Sequence, residues 1–116
     1  MSTPANFDEL IHPATRLSVV ALLAATEWAD FPFVRDSLSL SDSALSKQLH
    51  TLEEAGYLEL RKEGAGRKRR TRVRLTDRGR TAFDGHVAAL RAIVEGARPA
   101  PPTGPAEQRL PSEAAR

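Results

Sequence analysis

At 116 residues with 41% apolar content, the chain has room for one core and a short extension. The absence of cysteine excludes disulfides, thiolate metal sites and cysteine nucleophiles. The formal charge of +2 hides a concentration: residues 61–80 hold ten Lys or Arg against Glu63 and Asp77, a local net of +8, and a single-sign cluster of that density implies an anionic partner.

The first residues, MSTPANFDEL, lack the basic and apolar regions of a signal peptide. The longest apolar run, Val19–Ala25, is far short of the roughly 20 residues that cross a bilayer. The sequence-based expectation is therefore a cytoplasmic, nucleoid-associated protein with no membrane contact. Residues 1–6 are expected to be flexible. Phe7, Leu10 and Ile11 fall at helical spacing in a short segment ending near His12. Pro13 suits the first turn of a helix over 13–26, where its missing N–H is no loss. Leu17, Val20, Ala21 and Ala24 form one stripe of that helix, widened by Val19, Leu22 and Leu23. Residues 28–32 read as a break, because Pro32 biases Phe31 toward extended backbone. A short helix over 33–38 turns Phe33, Val34 and Leu38 inward.

A third helix is expected over 42–55. Ser41 is placed to cap it, with Asp42 at its positive end. At about 100° per residue, Leu45, Leu49 and Leu52 share one side, while Ser43, Lys47, His50 and Glu54 share the other. Gly56 is placed to stop it. Two short helices joined by a tight turn, the second with an exposed polar face, form the helix-turn-helix pattern. Leu58 and Leu60 then alternate with Glu59 and Arg61, and Val73 and Leu75 with Arg72 and Arg74. That is a hairpin with one face on the core and a basic, glycine-containing loop. Thr76-Asp77 can cap a fourth helix over 77–96. In it Phe83, Val87, Leu90 and Val94 make a heptad-like seam. From residue 97 onward five of the eight prolines gather, and 97–116 reads as a disordered tail. The fold class is mainly α with a small β-hairpin (α+β), a winged helix-turn-helix over 7–96.

FDELIHPATRLSVVALLA, LSLSDSALSKQLHTLEEAGYLELRK and GRKRRTRVRLTDRGRTAF together resemble the small winged-helix transcriptional regulators related to MarR, ArsR and PadR proteins, over about residues 7–95. The resemblance implies a dimeric DNA-binding repressor or regulator. Ser43, Ser46, Lys47 and His50 match its groove-facing positions, Gly66 to Arg70 its wing tip, and Phe83, Val87, Leu90 and Val94 its dimerisation helix. The longer terminal helices of fuller MarR proteins are short or missing here.

The expected division of labour gives sequence reading to the helix face and phosphate affinity to Arg67, Lys68, Arg69, Arg70, Arg72 and Arg74. Trp28, Phe31 and Phe33 are candidates for a small-molecule effector pocket, although plain core is the commoner role of such residues. No hydrolase, metalloprotease or nucleotide-binding motif is present, and His12, His50 and His86 have no metal-ligand spacing. No enzyme activity, metal or cofactor is expected. A protein-interaction module using the basic wing on an acidic partner is the alternative.

Overall fold

The structure is a computed structural model that describes residues 3–97. Its elements run α1 (Ala14–Ala24), β1 (Ala29–Asp30), α2 (Phe31–Ser37), α3 (Asp42–Glu54), β2 (Leu58–Glu63), β3 (Arg70–Leu75) and α4 (Asp77–Gly96), with a single 3-10 turn at Gly66–Lys68. The proline-rich stretch expected to form a tail lies, apart from Ala97, outside the described residues. Among those residues no helix is long and apolar enough to cross a membrane.

The hairpin pairs Leu58 with Leu75 through to Glu63 with Arg70. A third strand, not anticipated from sequence, joins it: Ala29 pairs with Val73 and Asp30 with Arg72, giving the antiparallel order β1-β3-β2. The break expected over 28–32 is thus used twice. Asp30 is the extended residue before α2, at φ −73° and ψ 143°. Pro32 then sits inside the first helical turn, where no N–H is needed. The helix starts two residues earlier than expected, so Phe31 shares its inward face with Val34 and Leu38 at i, i+3, i+7 spacing. Val34 is buried and Phe31 packs against the core, but Phe33, expected inward, is 51% exposed. The same correction applies to α1, whose buried residues are Val19, Val20 and Leu23, whereas Ala21 is exposed.

One core joins Leu45, Leu49 and Leu52 of α3 to α1, Val34 and the sheet residues Leu58, Val73 and Leu75. Ser41 caps α3 by accepting a hydrogen bond from the Ala44 N–H at 3.1 Å. After α3, Gly56 turns at φ +81°. Thr76 then ties three elements together. Its N–H donates to the Tyr57 carbonyl, its hydroxyl donates to the Gly56 carbonyl at 2.7 Å, and the same hydroxyl accepts from the Gly79 N–H to cap α4. These bonds set where α3 ends relative to the hairpin and the last helix.

The N-terminal segment is turns rather than a helix. The Asp8 carboxylate accepts from the Leu10 and Ile11 N–H groups, and Ile11 enters the core fully buried. Asn6, within the stretch expected to be flexible, lies against Gly85 of α4.

Candidate nucleic-acid interface

The outward face of α3 carries Ser43, Ser46, Lys47 and His50, all exposed. It is exposed because the leucines at 45, 49 and 52 consume the opposite side, so helical periodicity leaves these four together. Lys47 has no acidic partner among the described residues. His50 has one: its Nε2 lies 3.4 Å from Glu54, one turn along. Ser46 and His50 form one wall of a groove of about 240 Å³, whose other wall includes Leu60, Lys62 and Thr71 of the hairpin. Lys62 was missing from the sequence-derived site. The alternation of β2 placed Arg61 and Lys62 on opposite faces, which is the signal that could have found it.

At the N-terminus of α3, Arg35 of α2 bridges the two helices, donating to Asp42 at 2.8 Å and to Asp36 at 2.8 Å. The Arg35 guanidinium holds the Asp36 carboxyl below its ordinary range. Arg16 of α1 acts on the inner side of α3. Its Nε donates to Gln48 at 2.9 Å and its Nη1 to the Leu10 carbonyl at 2.8 Å.

The six expected wing cations divide into two groups. Arg67, Lys68 and Arg69 at the tip are exposed and have no acidic partner among the described residues. The other three are paired. Arg70 lies 3.7 Å from Glu63. Arg72 lies 3.4 Å from Asp30 and 3.7 Å from Glu63. Arg74 lies 3.0 Å from Glu59. The Arg72 Nε and Asp30 Oδ1 atoms are buried without a well-aligned hydrogen bond, so this contact is electrostatic. Arg72 and Arg74 do point away from the core as alternation requires, but onto a sheet face that supplies its own acids. Cross-strand opposite charges of this kind stabilise the hairpin.

Trp28 lies on that sheet face, with the Arg61 and Arg74 guanidiniums 4.3 and 4.9 Å from its ring centre. It also borders an open depression of about 590 Å³ with Arg74 and Arg80. Phe31 instead lines the groove beside α3. Trp28, Phe31 and Phe33 are therefore not gathered around one cavity.

In α4 the expected seam is split. Phe83 packs against its own core, and His86 and Ala89 are the helix's buried residues alongside Gly79. Val87 and Leu90 are half-buried and Val94 is 61% exposed. His86, placed apart from the other histidines by sequence, meets His12: the His86 Nε2 and His12 Nδ1 lie 3.4 Å apart. No group of three His, Cys, Asp or Glu suited to a metal occurs among the described residues.

A helix face of small polar groups beside a hairpin with a cationic tip can enter a duplex groove and hold its phosphates. Residues 15–94 match the winged helix DNA-binding domain family. The chain belongs to that family. This winged-helix protein is 29% identical over 79 residues to an uncharacterized protein of Methanocaldococcus jannaschii, a match covering 68% of this chain and 86% of the other. It superposes on the transcriptional regulator homologue of Pyrococcus horikoshii OT3 with a TM-score of 0.72 and 25% identity, covering 77% of this chain and 88% of that one. It shares its fold with the transcriptional repressor CouR bound to a 23-mer DNA duplex, at a TM-score of 0.62, 21% identity and coverage of 78% and 68%. The same fold is found in ZitR of Lactococcus lactis, a zinc-responsive MarR family member, at a TM-score of 0.58, 18% identity and coverage of 83% and 63%, and this winged-helix protein is a DNA-binding regulator.

Proposed function

We propose that the protein is a homodimeric, operator-specific repressor acting in the cytoplasm. The observation that carries this reading is the pairing of an exposed, small, polar α3 face with three wing-tip cations that have no acidic partner among the described residues. Lys47, Ser46 and Ser43 read base edges in the major groove, with His50 beside them. Arg67, Lys68 and Arg69 hold phosphates and supply most of the affinity. Arg70 joins them once Glu63 gives way, whereas Arg72 and Arg74 stiffen the wing. Val87, Leu90 and Val94 of α4 meet their counterparts on a second copy, with Phe83 bracing the helix from beneath. Such an isologous pair sets two α3 helices about one helical turn of DNA, roughly 34 Å, apart. Repression follows if the bound dimer occupies promoter DNA, and the repressor CouR on its duplex is a precedent within the fold.

The test combines mass in solution with anisotropy of a labelled duplex. A dimer at micromolar concentration whose affinity falls steeply with salt supports the proposal. A monomer, or binding indifferent to salt, removes it.

A further inference from the structure

His86 is fully buried on α4, and its partners fix its chemistry. The Asp8 backbone N–H donates to His86 Nδ1 at 2.9 Å, so Nδ1 carries a lone pair. The neutral ring's proton is therefore on Nε2, which faces His12 Nδ1 at 3.4 Å. That contact is attractive only if His12 Nδ1 is also unprotonated. Phe7 packs on both rings, with centroids 4.8 Å from His12 and 4.7 Å from His86. Adding a proton to either ring sets donor against donor: at His86 against the Asp8 N–H, at His12 against the His86 Nε2–H.

The segment held by this pair also touches α3. Asp8 accepts from the Tyr57 hydroxyl just beyond α3. The Leu10 carbonyl accepts from Arg16, which also holds Gln48. A continuous chain of contacts thus runs from α4 through residues 7–12 to the recognition helix.

We propose that Phe7–His12 is a proton-operated strap, latched to α4 while His86 is neutral and released when His86 is protonated, loosening α3 and weakening DNA binding. The last step rests on the DNA-binding reading; the strap itself does not. The charged groups around the pair are few. The segment itself brings Asp8 and Glu9, which favour protonation of His86. Arg16 comes from α1, Tyr57 from the loop after α3, and Arg78 of α4 lies 6.0 Å from the Tyr57 ring. Burial, with His12 beside it, outweighs Asp8 and Glu9 and pushes His86 below its ordinary imidazole value. His12 is exposed and gives protons a route to the pair.

The test follows backbone hydrogen exchange of residues 7–12 in the full chain between about pH 7.5 and 5.5, corrected for intrinsic rates, beside duplex affinity in the same window. Wild type should lose about tenfold or more of its protection at Asp8 and Ile11. In His86→Asn, Oδ1 can accept from the Asp8 N–H in place of Nδ1 but does not titrate, so protection should hold throughout. Ring-proton shifts of His86 in wild type supply the same answer if the variant does not fold, because His86 must titrate with the same midpoint as strap release. Acid otherwise adds positive charge and tightens phosphate binding, so weaker duplex binding at low pH in wild type alone supports the coupling. Constant protection, equal loss in His86→Asn, or a different midpoint overturns the strap. Strap release with unweakened binding overturns the coupling to α3. Absence of duplex binding at every pH refutes the regulator reading and, with it, the coupling, while exchange still decides the strap.

Discussion

Replacing Arg67, Lys68 and Arg69 together by alanine removes the wing cations that lack an acidic partner among the described residues, while leaving the paired stem in place. Each phosphate contact on duplex DNA contributes about 0.9 to the slope of log affinity against log salt, so three lost contacts in each half of a dimer reduce the slope by about 5. Across a rise from about 50 to 200 mM salt, wild type should then weaken about a thousandfold more than the triple variant. Arg72→Ala makes the informative contrast. Arg72 is already engaged by Asp30 and Glu63, so its loss should leave the slope unchanged. It should instead cost stability, about 1 kcal/mol, by leaving Asp30 without its counter-charge. Anisotropy titrations over the salt series measure the slopes, and urea melts measure the stability. A triple variant with the wild-type slope, or an Arg72 variant with an equally reduced one, would show that the division into free tip and paired stem is wrong.

Three further outcomes follow from the packing. Gly79→Ala would drive a Cβ into the Tyr57 carbonyl oxygen, a backbone atom that cannot easily move aside, so a loss of about 3 kcal/mol is expected in a urea melt. A near-neutral result would mean that the α4 start does not sit so close to the strand entry. Leu49→Ala empties a site that is 1% exposed and should cost about 2–5 kcal/mol, with DNA affinity lost only as far as folding is lost. Stability should also decline in acid. The folded-state value of His86 lies below its unfolded one, so the unfolded chain binds the proton first. Stability is full above about 6.5 and falls as pH drops below it. His86→Asn should flatten that part of the profile, and an unchanged acid decline in the variant would place its cause in other groups.

The third helix was legible because its signals are local. Ser41, the leucines at 45, 49 and 52, and Gly56 each act within a turn or two of their own position. The hairpin was legible for the same reason, since alternation is a property of neighbouring residues. What sequence did not display depends on distant partners. β1 is two residues long and is a strand only because Val73 and Arg72 pair with it. Arg72 and Arg74 read as free cations because Asp30 is 42 positions before Arg72 and Glu59 lies across the hairpin. The α4 seam was drawn through Phe83, Val87, Leu90 and Val94 on their heptad-like spacing, but the helix's buried side uses Gly79, His86 and Ala89. Small residues serve where Tyr57 and Asn6 approach closely, and a histidine serves where a backbone N–H must be satisfied.

Selection of bound sequences from a random duplex pool tests the central claim most directly, run in parallel with wild type and with Lys47→Ala. Wild type should enrich an inverted repeat with half-sites about one helical turn apart, and Lys47→Ala should change the preferred bases within each half-site without changing the spacing. Failure to enrich any sequence, or an identical motif from both proteins, would contradict an operator read by the exposed face of α3.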